Sequence, residues 1–155
     1  MTDVWVCFSV TTAEGFWAAL AERTASQVGA WDASTEGCHV LVVAASGSGK
    51  TLMAFLWSLE RLRTTPPPED RTRRTRVLYI SPLKALAVDV ERNLRAPLTG
   101  IRHTADRLGT PLPEVTVGLR SGDTSAADRR RLVTRPPDIL IATPESLSLM
   151  LPLPA

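Results

Sequence analysis

Apolar residues in this chain fall into short blocks with two different periods. His39-Val40-Leu41-Val42-Val43 is an unbroken run rich in β-branched residues, which predicts a buried strand. Beyond a glycine-rich turn, Leu52, Phe55, Leu56, Leu59 and Leu62 recur at helical spacing and predict a helix over Leu52–Leu62 with one apolar face. Val77–Ile80 reads as a second strand, followed by a helix from about Ala85 to Arg95. Pro97 restarts a helix that presents Leu98, Ile101, Ala105 and Leu108 on one side and stops at Gly109. Val115–Leu119 is a third strand. Ser121-Gly122-Asp123-Thr124 is a turn capping a helix from about Ser125 to Thr134. Pro136-Pro137-Asp138 leads into a fourth strand, Ile139–Ala142, and Thr143-Pro144-Glu145 opens a last helix, Ser146 to Leu151. Ahead of the first strand, Thr11–Arg23 and about Ser26–Ala33 read as helices. The order β-α-β-α-α-β-α-β-α implies an α/β fold, a parallel sheet flanked by helices.

The turn between the first strand and its helix carries the chemistry. It reads Ala44-Ala45-Ser46-Gly47-Ser48-Gly49-Lys50-Thr51. Strand, glycine-rich turn and helix is the context of a phosphate-binding loop. Gly47 and Gly49 let successive backbone N–H groups curl toward an anion, and the helix beginning near Lys50 adds its positive end. In this design Lys50 reaches the β- and γ-phosphates and the Thr51 hydroxyl takes a place on Mg²⁺. Ala44, Ser46, Gly47, Ser48, Gly49, Lys50 and Thr51 are the candidate nucleotide-binding residues, with Lys50 and Thr51 the catalytic pair and Thr51 the metal contact. Ala44 stands where the strict phosphate-loop pattern has glycine.

Composition narrows the class. A chain of 155 residues with 44% apolar and 22% charged residues fits one soluble globular segment. No apolar run approaches the roughly 20 residues of a membrane helix, and the start lacks a secretory pattern, so the expected location is the cytoplasm. Cys7 and Cys38, like His39 and His103, stand apart from one another, which argues against zinc. A net charge of +2 does not by itself point to nucleic acid. The bases are nearly all arginine: Lys50 and Lys84 are the only lysines, and both fall in functional-looking stretches. Thr64–Arg76, with Pro66-Pro67-Pro68 and then a charged run, reads as an exposed, solvated loop.

Several stretches together resemble the first ATPase domain of superfamily 2 helicases, and most of all the Lhr-like DExH/DEAD-box family. The form A-x-x-G-x-G-K-T at Ala44–Thr51 is similar to that superfamily's motif I, so Ala44 is in keeping with it. Ser81-Pro82-Leu83-Lys84-Ala85-Leu86 resembles motif Ia, and Thr143-Pro144-Glu145-Ser146-Leu147 resembles motif Ib. Thr24-Ala25-Ser26-Gln27 resembles the glutamine motif, with Arg23 where a proline is usual. The stretch from Arg76 to Gly100 is the most Lhr-like part, and the likeness spans about residues 24 to 151. It implies a RecA-like P-loop fold, ATP and Mg²⁺ as cofactors, and single-stranded or partly duplex DNA or RNA as partner.

Each motif also has a physical reading. A glutamine amide can accept from adenine N6 and donate to N7, which makes Gln27 the adenine selector. The turn Ser81, Pro82, Leu83, Lys84 offers helix-start N–H groups and a cation to strand phosphates, and Thr143, Pro144, Glu145 offer a hydroxyl and a second helix start. Because all follow strand ends, these turns are expected on the same sheet edge as the phosphate loop. Asp123 reads as a turn residue. The organisation implied is a helical lead-in over residues 1–36 with the glutamine motif, then the first part of a RecA-like domain over 37–155, incomplete before the acidic D-E-x-H motif. Asp89 and Glu91 mimic that motif but fall on a helix. The function expected is the ATP- and nucleic-acid-binding segment of an ATP-dependent Lhr-like helicase, inactive alone, with a second RecA-like domain as partner. Two other readings stay open: another P-loop enzyme such as a small-molecule kinase, and a truncated non-catalytic nucleic-acid-binding relic.

Overall fold

The computed structural model describes residues 24–109 and 113–151. The helix expected over Thr11–Arg23 lies outside them. The chain divides into two compact units, Met1–Thr64 with Leu94–Pro113, and Thr65–Asn93 with Glu114–Ala155.

In the first unit, helix α1 spans Ala25–Thr35 and helix α2 spans Lys50–Thr64. Thr24 starts α1 through a capping box: its hydroxyl accepts from the Gln27 N–H, and the Gln27 side chain accepts from the Thr24 N–H at 2.9 Å. The apolar stripe of α2 is buried as its spacing predicts, at Met53, Phe55, Leu56, Leu59 and Leu62. Ala30 and Trp31 of α1 pack with Met53 and Leu56, and the Trp31 indole N–H donates to the Met53 carbonyl at 3.0 Å. The bond removes the cost of burying that N–H unpaired.

In the second unit, strands β1 (Val77–Ile80), β2 (Val117–Arg120) and β3 (Ile139–Ala142) form a parallel sheet in the order β1-β3-β2. The register sets Val77 and Val117 on either side of Ile139, and Ile80 and Arg120 on either side of Ala142. Central β3 is buried along its whole length, as a strand covered on both faces should be. Helix α4 (Ala126–Thr134) is capped by the Ser125 hydroxyl, and α5 (Pro144–Ser148) begins with its proline in the first turn. Leu132 of α4 packs so close to β2 that a Cβ on Gly118 would lie 2.6 Å from its Cδ2.

Three readings from sequence need correction. First, His39–Val43 forms no strand: Leu41 and Val43 are 89% and 85% exposed, and only Val42 leans on the core. An isolated extended segment gains nothing from β-propensity without a ladder partner, and each described strand pairs only within the three-stranded sheet. Second, the two helices expected around Pro97 are one helix, α3, Lys84–Arg107. Its buried positions Ala87, Val90, Leu94, Ile101 and Ala105 keep one helical register throughout, and burial along that stripe offsets the hydrogen bond a proline removes. Third, two arginines of the loop before β1 are not solvated charges. Arg74 and Arg76 both bind Asp138.

Asp138 is 1% exposed and ties together the starts of all three strands. Its carboxylate accepts from Arg74 Nε at 2.9 Å and Nη2 at 3.1 Å, from Arg76 Nη2 at 3.1 Å, and from the Thr116 N–H and hydroxyl at 2.9 and 2.8 Å. Burial pushes its pKa up, but the bonds from Arg74, Thr116 and Arg76 together outweigh it and bring the pKa to about 2. That lies below the ordinary aspartate value of about 3.9, so the group contributes stability that is complete above about pH 4 and is lost as pH falls toward 2. Asp138→Asn is expected to cost about 2–4 kcal/mol at neutral pH, since it strands two guanidinium groups. Its thermal midpoint, followed by circular dichroism, should vary less between pH 4 and pH 2 than that of the parent chain.

Candidate nucleotide and nucleic-acid sites

The glycine-rich loop lies in the first unit and feeds α2. Gly47 and Gly49 have φ of +79° and +77°, the left-handed region that costs other residues most. No non-glycine residue among those described has positive φ, so Ala44 occupies its position without strain. The first turn of α2 contains no acidic side chain, so nothing there neutralises its positive end. Lys50 folds back over the loop: its Nζ donates to the carbonyls of Ala44 and Ala45 at 2.7 and 2.6 Å, with Ser48 Oγ at 3.5 Å. Ser46 and Thr51 are exposed.

Gln27 is brought against this loop. A Cβ on Gly49 would meet Gln27 Nε2 at 2.6 Å. Gln27 Oε1 is already engaged by the Thr24 N–H, so the amide here serves the start of α1 and the loop. An open cavity of about 490 Å³ runs between α1, α2 and the segment after Gly37, lined by Trp31, Trp57, Met53, Val42, His39 and Lys50.

In the second unit the turns after β1, β2 and β3 sit side by side at one sheet edge. The Ser81 N–H donates to the Ala142 carbonyl at 2.9 Å, and the Thr143 N–H donates to the Arg120 carbonyl at 3.2 Å. Ser81 and Thr143 are buried, and their hydroxyls serve the turns: Ser81 Oγ donates to the Leu83 carbonyl, and Thr143 Oγ1 lies 3.2 Å from Ser146 Oγ. Pro82, Leu83, Lys84, Pro144 and Glu145 are the exposed members. Thus the two turns singled out in sequence share an edge as expected. The phosphate loop follows no described strand and does not join this sheet.

The structure adds what the sequence did not resolve. Asp123, read as a turn residue, forms an ion pair with Lys84 and so links the turns after β1 and β2. Both side chains are more than half exposed, which makes the pair weak. Arg129 of α4 donates to the carbonyls of Thr124 and Gly122 at 2.8 and 2.9 Å and fixes the turn after β2. Asp89 lies exposed on α3, consistent with its rejection as part of an acidic motif.

The double constraint on Gly49 is testable. Gly49→Ala is expected to destabilise the loop by about 1–2 kcal/mol through its φ alone. It also forces Gln27 away. Adding Gln27→Ala should recover the clash component and leave the φ component, which a thermal-melt double-mutant cycle measures as a coupling of opposite sign to the single costs.

Known proteins resemble this chain over most of its length. A family model described as DEAD/DEAH box helicase matches residues 24–153. The Lhr helicase of Mycolicibacterium smegmatis is 57% identical over 144 residues, 93% of this chain and 9% of that protein. The Escherichia coli protein named Lhr helicase/uracil glycosylase is 47% identical over 148 residues, 93% of this chain and 10% of that protein. Among solved structures, Mycobacterium smegmatis helicase Lhr bound to ssDNA and AMP-PNP superposes with a TM-score of 0.87 at 54% identity, covering 96% of this chain and 18% of that one. The chain therefore spans about a tenth of the length of these curated relatives. With its motifs, its parallel sheet and a family match over most of its length, the chain belongs to the DEAD/DEAH box helicase family, as an Lhr-like member of it.

Proposed function

We propose that this chain is the ATP- and nucleic-acid-binding segment of an ATP-dependent helicase of the Lhr type. What supports the ATP half best is the loop Ala44–Thr51, with two left-handed glycines, a helix start free of acid and Lys50 lodged among the loop's carbonyls. The donor set fits a nucleotide triphosphate. Lys50 exchanges its carbonyl partners for phosphate oxygens, and the loop N–H groups and the start of α2 hold the remaining charge. The exposed Thr51 hydroxyl fits a place on Mg²⁺. Among the described residues no group of three or more His, Cys, Asp or Glu side chains is placed to hold a metal. Magnesium, when bound, would supply charge neutralisation at the phosphates.

The nucleic-acid half rests on the adjoining turns at the second unit's sheet edge. Lys84, Leu83, Pro82, Pro144 and Glu145 are their accessible members, and buried Ser81 and Thr143 hold the turns in place through their hydroxyls. The similar helicase solved with ssDNA and AMP-PNP favours the same pair of ligands here. In this reading ATP binds between two RecA-like domains, and its hydrolysis changes their separation while they grip a strand. The same reading takes residues 1–36 as a lead-in that carries the glutamine motif, and 37–155 as the first part of the RecA-like domain. No described helix is long and apolar enough to cross a membrane, and a cytoplasmic location suits the proposed substrates.

The test uses the full-length protein. Lys50→Ala should abolish strand-stimulated ATP turnover, read as phosphate release, while leaving single-strand affinity within a few-fold. Lys84→Ala should lower the salt dependence of single-strand binding by about 0.7 in the log–log slope, the share of one phosphate contact. Turnover that survives Lys50→Ala would rule out the nucleotide site, and an unchanged slope would remove Lys84 from the strand contact. Gln27→Ala should weaken ATP and GTP binding alike if Gln27 supports the loop, and ATP selectively if it reads adenine.

A further inference from the structure

Arg120 ends β2 at the same edge, beside the turn that begins at Thr143. Its Nη1 is buried without a hydrogen-bond partner. A guanidinium stays charged at any physiological pH, so this donor cannot shed its proton to escape the cost of burial. The acids of the following turn and helix are committed elsewhere. Asp123 pairs with Lys84, and Asp128 accepts from the Ser125 hydroxyl at 2.7 Å. The neighbouring charge is Arg129, a cation spent on the carbonyls of Gly122 and Thr124. Burial, and then repulsion from Arg129, both disfavour the charged form of Arg120. Evidence from Asp138 sharpens the contrast. The segments leading into the sheet supply five hydrogen bonds to one buried carboxylate at its other end, yet nothing accepts from Nη1 of this cation.

We propose that Arg120 is a further ligand for the nucleic-acid backbone, a cation parked against β2 that swings out onto a strand phosphate as the strand crosses the turns after β3 and β2. The proposal rests on the nucleic-acid reading of the Ser81 and Thr143 turns. Departure is cheap, because Nη1 breaks no hydrogen bond in leaving. Arrival is rewarded, because a phosphate oxygen gives guanidinium a charge-assisted and often bidentate bond. The three-carbon stem is flexible, while its Cα is fixed by the β2–β3 ladder. Lys84 would be drawn from Asp123 by the same strand, so the two cations report on neighbouring phosphates.

The experiment measures anisotropy of a labelled oligothymidylate on the full-length protein across a salt series, alongside thermal melts. Arg120→Gln is expected to weaken binding roughly tenfold at low salt and to reduce the slope of log K against log salt by about 0.7. Its melting midpoint should stay level or rise, since an uncompensated buried charge is removed. Arg120→Lys should keep most of the slope while losing part of the affinity. An Arg120→Gln slope equal to the parent's, with Lys84→Ala still reducing it, would overturn the role of Arg120 and leave the nucleic-acid reading standing. Parent protein that fails to bind the oligonucleotide would overturn both. A midpoint lowered by several degrees, or failure of Arg120→Gln to fold, would also overturn it, because the guanidinium would then be a support of the sheet.

Discussion

One buried carboxylate sets the frame for the second unit. A parallel sheet has no hairpins to fix its register, and its strands arrive from distant parts of the chain. Asp138 supplies the missing constraint. It precedes β3, yet it holds Arg74 and Arg76 ahead of β1 and Thr116 ahead of β2. Around it run further bonds of the same kind: Thr75 Oγ1 donates to the Pro137 carbonyl, and the Arg76 and Val77 N–H groups both donate to the Asp138 carbonyl. Fixing the N-terminal ends of three short parallel strands also fixes where their C-terminal ends emerge. Each strand is four residues long, so little slack accumulates between clamp and turn.

The opposite edge is therefore rigid where it must be and open where it can act. Ser81, Ser121 and Thr143 are buried and hydrogen-bonded, and they shape the turns. Lys84, Asp123 and Arg120 are long or charged groups with weak or missing partners. Polar groups whose bonds are satisfied inside the fold hold geometry. Cations whose bonds are poor in the free protein are the ones an anionic strand can recruit without breaking the fold. This division of labour follows from energy: giving up a well-made buried bond costs far more than giving up an exposed ion pair.

How much of this was legible in the sequence depends on the range of the interaction involved. Strands Val77–Ile80 and Ile139–Ala142 have the bounds that their apolar runs predict, and α2 buries the stripe its spacing predicts, because short-range patterning decides them. Long-range terms are where the reading failed. His39–Val43 has the composition of a strand and lacks a ladder partner among the described residues. The arginines before β1 looked like a solvated charge run, and no local signal says that Arg74 and Arg76 meet a carboxylate more than sixty positions later. Asp138 itself, after two prolines, reads as a loop residue. Lys50, Lys84 and the three turns were legible because glycine, proline and lysine at fixed offsets carry their meaning locally. Arg120 was not, since it stands out only once burial shows that its donor has no acceptor.

The phosphate loop shows the same logic applied to backbone. Of its positions, Gly47 and Gly49 need positive φ and Ala44 does not, so the departure from the strict glycine pattern falls where a Cβ is harmless. Gly49 is constrained a second time by Gln27, whose amide occupies the space a side chain would need. The amide in turn is held by Thr24, the residue that starts α1. A capping box, a glutamine and a glycine thus form one chain of contacts from a helix start to the loop. Lys50 closes that loop by binding its own carbonyls. These partners are neutral dipoles, so in the proposed nucleotide site a fully charged phosphate would outcompete them for the lysine once it arrives. Until then the lysine satisfies carbonyls that the tight turn would otherwise leave bare. In that proposal one cation both holds the loop's carbonyls and serves the phosphates, two roles that a neutral residue of similar length could not combine.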